Sequence, residues 1–172
     1  MLYFAYGSNL LTRRLLARAP SARKHGVAVL RGYGLRFHKR ARDASAKCNT
    51  VPTGNADDVV HGALFEIDSG DWDSLDRAEG RGAGYEREVL QVEPAGDRSP
   101  EHAALVAAQI YLARPEYVDA TLLPYGWYRD LVVAGAREHS LPADYIARLE
   151  GQPVMQDPDA EREARERGFL CP

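Results

Sequence analysis

Residues 2–10, LYFAYGSNL, pass from an apolar run through a polar glycine turn to the start of a new element. Leu2–Tyr6 is compact, apolar and rich in aromatic side chains, the pattern of a buried strand. It breaks at Gly7-Ser8-Asn9, after which Leu10–Ala19 reads as a helix ended before Pro20. Ser8 or Asn9 is the expected N-cap, because either side chain can accept from the free amides of a first helical turn. Two readings of this turn stand. One is ordinary capping. The other is a receptor for a carboxylate or other anion, with unpaired N–H groups and the helix dipole facing a ligand.

Downstream, Val27–Phe37 is a strand region interrupted by Gly32 and Gly34, and Val59–Ile67 alternates as a half-buried strand. Tyr85–Val92 and Ala104–Leu112 are further strands, and a short helix, Asp71–Glu79, stops at Gly80. From Tyr125 the pattern turns helical, with Tyr128–His139 and Pro142–Glu150. Strands therefore fill the first two thirds and helices gather at the end. That order predicts an α+β domain with an antiparallel or mixed sheet, not a doubly wound one. The tail from about residue 158 reads as a solvated, charge-laced helix over Ala160–Arg167, where Glu161/Arg165 and Glu163/Arg167 stand at the spacing of helical neighbours.

The chain has 172 residues, enough for one domain with a single core over 1–172. Its 22 basic and 25 acidic residues leave a net charge of -3, which argues against a nucleic-acid partner. Cys48 and Cys171 are too few for a disulfide framework or a four-ligand zinc site. His25, His38, His61, His102 and His139 never reach the spacing of metal-ligand pairs, so no metal site is expected. No run approaches the ~20 apolar residues that would span a bilayer. Met1 leads straight into the first strand with no leader pattern, so a soluble, cytoplasmic protein without a membrane partner is the expectation. Gly80-Arg81-Gly82-Ala83-Gly84 follows a helix and lacks the Lys-Ser/Thr of a phosphate loop, and is read as a flexible turn. The basic stretch His38–Arg42, with Lys47 beyond it, has two readings: a solvated loop, or a wall that attracts a carboxylate-bearing substrate.

Glu79 breaks a local rule. On Asp71–Glu79 the apolar positions are Trp72, Leu75 and Ala78, and Glu79 falls four residues after Leu75 and seven after Trp72, on the same stripe. It also sits in the last turn, where the helix dipole disfavours an anion. Burial and dipole together favour the neutral acid, which would raise its pKa toward the working range of a general base. The alternative is a frayed helix end with a wet carboxylate.

These features are also where the chain resembles a family. LYFAYGSNL at residues 2–10, LDRAEGRGAGYERE at residues 75–88 and AGAREHSLPADYIARLE at residues 134–150 are similar, in that order, to the signatures of the γ-glutamylcyclotransferases. The resemblance implies a small β-barrel or strongly curved mixed sheet with flanking helices. It implies conversion of a γ-glutamyl amino acid or amide into 5-oxoproline and the free amine, without metal or organic cofactor. By matching position Glu79 would be the acid/base residue. Tyr6, Gly7, Ser8, Asn9 and Leu10 would hold the glutamyl α-carboxylate, with Tyr85 and Tyr128 lining the pocket. The partner would be a small γ-glutamyl substrate, and the resemblance alone suggests a homodimer. The stretch from Phe37 to Val51 departs from the family pattern and is expected to border the leaving-group side. A non-catalytic domain that binds a γ-glutamyl compound or small anion on the same fold is the competing reading.

Overall fold

The computed structural model describes residues 1–95 and 104–171. Its strands are β1 (Leu2–Ala5), β2 (Arg23–Arg31), β3 (Tyr33–Arg40), β4 (Ala46–Pro52), β5 (Val59–Glu66), β6 (Tyr85–Ala95) and β7 (Val106–Ala113). Its helices are α1 (Thr12–Leu16), α2 (Trp72–Glu79), α3 (Gly126–Glu138), α4 (Ala143–Glu150) and α5 (Ala160–Arg167). Five strands close a barrel in the order β1-β5-β2-β6-β7, while β3 and β4 form a separate two-stranded ribbon. The seam between β1 and β7 is parallel and the other pairings are antiparallel. The expected α+β class and barrel are present, with the helices flanking it. No helix among the described residues is long and apolar enough to cross a membrane.

β1 is apolar throughout because it lies between two barrel neighbours and under the helices. Tyr3, Phe4 and Ala5 are all buried. Phe4, Leu64, Phe65, Ile110, Leu131 and Val132 lie in the same fully buried core. α3 brings Leu131, Val132 and Ala136 to that core. It also packs against the turn that follows β1, where Gly135 makes the close approach possible. A Cβ on Gly135 would stand 2.4 Å from the backbone of Leu10 and Leu11.

Several local readings change. Leu10–Ala19 is not one helix: Ser8–Leu10 is a 3₁₀ turn and α1 covers only Thr12–Leu16. Neither Ser8 nor Asn9 caps, because their side chains are engaged elsewhere; the Gly7 carbonyl accepts from Leu10 N at 2.9 Å instead. Val27–Phe37 is two strands split by a turn at Gly32. Only the end of the basic stretch is loop: His38–Arg40 close β3, while Ala41 and the exposed Arg42 begin the turn that leads to β4, a strand hidden from a local reading by Lys47 and Asn49 among its apolar residues. On α2, Ala78 is exposed, whereas Trp72 and Leu75 are buried as expected. Gly80 ends that helix in the left-handed conformation, φ 71°, which costs a glycine little.

The tail helix forms over the expected residues, and Glu163 pairs with Arg167 at 2.7 Å. Arg165, however, approaches Glu166 at 3.8 Å rather than Glu161. The helix is not merely solvated, since Glu166 pairs with the buried Arg14 and Arg167 reaches Asp130 at 3.0 Å. His102 lies outside the described residues.

Candidate active site

The site is assembled where the turn after β1, the end of α2, the start of β6 and the first turns of α3 meet. α2 docks on the barrel through Trp72 and Leu75, and this fixes where its last residue falls. The Glu79 side chain retains only 15% of its exposure. Its Oε1 accepts from Asn9 Nδ2 at 2.9 Å and from Arg18 Nη1 at 2.8 Å. Asn9 is itself held on both sides: its Nδ2 also donates to the Tyr3 hydroxyl at 2.9 Å and its Oδ1 accepts from Arg18 at 2.8 Å. Among the described residues Oε2 of Glu79 accepts no hydrogen bond. One oxygen is therefore anchored and the other is available to the cleft. The sequence reading weighed burial and dipole against this carboxylate without a cation; Arg18 is that cation.

The turn presents main-chain donors beside this carboxylate. The N–H groups of Gly7, Ser8 and Asn9 find no acceptor among the described residues. Ser8 Oγ accepts from Arg14 Nε at 3.2 Å, which ties the turn to α1. His139 holds the same turn from the other side, with its Nε2 2.8 Å from the Leu10 carbonyl oxygen. Burial lowers the His139 pKa, so the neutral ring donates from Nε2 to Leu10.

Tyr6, Gly7, Ser8, Asn9, Glu79, Tyr85 and Tyr128 line one small inner cavity. Leu10 does not join them: its side chain is fully buried in the core. The Tyr6 hydroxyl donates to the Tyr111 carbonyl and the Tyr85 hydroxyl to the Cys48 carbonyl. The Tyr128 hydroxyl accepts from Cys48 N at 3.0 Å. Burial pushes the pKa values of Tyr6, Tyr85 and Tyr128 well up, so all three keep their protons. Burial also pushes the Cys48 thiol up to about 12, which leaves it a poor nucleophile.

Sequence reasoning missed Tyr3, Arg18, Cys48 and Tyr111. Tyr3 read as an ordinary strand residue, Cys48 lay in a stretch where no strand was read, and Arg18 fell unremarked near the end of the expected helix Leu10–Ala19. The inner cavity shares Ser8, Glu79, Tyr85 and Tyr128 with a larger outer cleft that has Arg18, Lys39, Arg42, Lys47 and Arg77 on its walls. Among the described residues, no group of three or more His, Cys, Asp and Glu side chains is gathered as a metal ion would require.

Comparison with known proteins places this geometry in a family. Residues 59–149 match the profile of the AIG2-like family. The Gamma-glutamylcyclotransferase of Homo sapiens is 32% identical over 151 residues, which is 86% of this chain and 76% of the human one. That of Bos taurus is 30% identical over the same shares of the two chains. A solved structure described as Gamma-glutamyl cyclotransferase superposes with a TM-score of 0.81 over 98% of both chains, at 26% identity. On the matched stretch and on these relatives, the chain belongs to the AIG2-like, γ-glutamylcyclotransferase family.

Proposed function

We propose that this chain cyclises the γ-glutamyl group of a γ-glutamyl amino acid or amide, releasing 5-oxoproline and the free amine. The observation that carries the reading is the Glu79 carboxylate, with one oxygen clamped by Asn9 and Arg18 and the other facing a cavity rimmed by free main-chain amides.

In this reading the nucleophile is the substrate's own α-amine. Glu79 takes a proton from the ammonium group, and the amine nitrogen attacks the γ-carbonyl carbon. The new C–N bond closes a five-membered ring and gives a tetrahedral oxyanion. Glu79 passes that proton to the amide nitrogen, and collapse of the oxyanion breaks the original amide C–N bond. Glu79 then takes the second proton from the ring nitrogen and hands it to the departing amine, which leaves as an ammonium group while the ring keeps one N–H. The free amides of Gly7, Ser8 and Asn9 hold the α-carboxylate, which orients the amine toward the γ-carbon; the Leu10 amide is already committed to the Gly7 carbonyl. Main-chain amides or a tyrosine hydroxyl meet the oxyanion; Tyr128 remains protonated and lines that space, whereas the Tyr85 proton is committed to the Cys48 carbonyl.

Each part has a magnitude. Holding the substrate folded lets an intramolecular attack recover about 7–11 kcal/mol of the barrier. A positioned base adds a factor of roughly 10²–10⁴. These two effects make the reaction feasible with this chain's own groups, and no step in it calls for a metal or an organic cofactor.

The test is mass-spectrometric detection of 5-oxoproline after incubation with chemically varied γ-glutamyl amides. The reading expects 5-oxoproline and free amine in equal amounts from at least one class. A rise in melting temperature with these compounds but no 5-oxoproline would instead support a binding domain on the same fold.

A further inference from the structure

The outer cleft holds a feature that the cyclisation does not use. Lys39 is 8% exposed, yet its ammonium makes no hydrogen bond or ion pair among the described residues. It lies 4.6 Å from the centre of the Tyr85 ring, a contact that offsets only part of the cost of burying a charge. Lysine is rarely buried without a partner.

The backbone is arranged to put it there. The β3–β4 pairing runs regularly to Phe37 opposite Cys48, then shifts, so that Lys39 stands opposite Lys47. Such a bulge re-aims the side chains that follow it. Here it sets two cations directly across from each other, which is unfavourable in a strand pair. Lys47 is neutralised: its Nζ lies 2.8 Å from Asp43 and 4.6 Å from the Trp127 ring centre. Among the described residues Lys39 has no carboxylate within ion-pair distance; Glu79 and Asp43 act on it only from farther off. Gly84 leaves room for it, because a Cβ there would stand 2.8 Å from the Lys39 Nζ.

Position says which part of a ligand this cation would meet. Lys39 lines the outer cleft but not the inner cavity, whereas Ser8, Glu79, Tyr85 and Tyr128 border both. If the glutamyl half fills the inner cavity, the departing half extends past Glu79 toward Lys39. Arg42 and Arg77 continue the positive wall at the exposed mouth.

We propose that Lys39 determines specificity for the released amine by pairing with a carboxylate that the amine carries. The preferred substrates are then γ-glutamyl derivatives of amino acids or of peptides with a free carboxylate close to the scissile amide. Derivatives of neutral or cationic amines are disfavoured, because they leave Lys39 buried and unpaired. This assignment rests on the cyclisation proposed above.

The test compares γ-glutamylalanine with γ-glutamylalaninamide, which differ only in that carboxylate, using Lys39→Met, Lys39→Gln and Lys39→Arg. A hydrogen bond between charged groups predicts that wild type favours γ-glutamylalanine by about 10–150-fold in kcat/KM. Lys39→Met and Lys39→Gln should collapse that ratio toward equality, and Lys39→Arg should restore much of it. Equal use of the two substrates by wild type overturns the assignment without any variant. A variant that loses activity on both substrates in proportion, or on neither, also overturns it. Wild type that forms product without discriminating fails the Lys39 assignment alone. Wild type that forms 5-oxoproline only from γ-glutamyl amides without a carboxylate overturns the assignment alone, and wild type that forms none from these two substrates or from the wider set of γ-glutamyl amides overturns the reaction and the assignment together.

Discussion

Glu79→Gln lowers 5-oxoproline release by roughly 10²–10⁴-fold, the factor a positioned general base contributes. The substitution is nearly isosteric. The glutamine side-chain oxygen can still accept from Asn9 and Arg18, the two donors that hold Oε1 at 2.9 and 2.8 Å. What it cannot do is take the ammonium proton. The loss should fall on kcat, with little change in substrate affinity, because the glutamyl α-carboxylate is held by main-chain amides that the variant leaves in place. Steady-state kinetics with a melting curve on the same sample checks both halves. A folded Glu79→Gln protein with wild-type kcat would remove the carboxylate from the mechanism.

Gly135→Ala should damage the site from the back. Its new methyl group would lie 2.4 Å from backbone atoms of Leu10 and Leu11 and 2.5 Å from the Leu10 Cβ. Backbone cannot step aside as a flexible side chain can, so α3 must move off the turn. Overpacking of this kind costs about 1–3 kcal/mol, against a gain of roughly 0.5–1 kcal/mol from replacing a mid-helix glycine. A net loss of about 1–2 kcal/mol lowers the melting temperature of a domain this size by about 2–8 °C. The same displacement moves Asn9 and the free amides, and a shift of about 1 Å in a catalytic constellation can cost on the order of 10²-fold. Gly126→Ala is the control at the start of the same helix, where the added Cβ meets nothing nearer than 3.6 Å. It should leave melting temperature and rate close to wild type. Equal stability and activity in Gly135→Ala would show that the contact between α3 and the turn does not position the site.

The parts of this fold that were legible in the sequence are those set by neighbours along the chain. β1 announced itself because all its central residues are buried, and α2 because Trp72 and Leu75 share a face and Gly80 stops it. β4 stayed hidden, since its pattern answers to the β3 ribbon and to the helices over it rather than to a two-residue period. The start of the first helix was misplaced for a related reason. Ser8 and Asn9 have the side chains of capping residues, but distant partners claim them.

The site divides in the same way. Glu79 could be singled out because its oddity is local: a carboxylate on an apolar stripe at the wrong end of a helix. Its ion pair with Arg18 joins residues 61 positions apart, and its bond to Asn9 spans 70. No periodicity carries such pairings; they exist only once the barrel brings α2 beside the turn. Lys39 was visible as one charge in a basic stretch, while its burial depends on the bulge and on Gly84 from another element.

The proposed cyclisation makes one chemical commitment that hydrolysis of the same amide bond does not share: the attacking atom belongs to the substrate, not to water. The most direct measurement is therefore turnover of γ-glutamylalanine in oxygen-labelled water, with the products weighed by mass spectrometry. The account predicts alanine and unlabelled 5-oxoproline in equal amounts. Glutamate carrying the label in its γ-carboxylate would show that water is the nucleophile, and would contradict it.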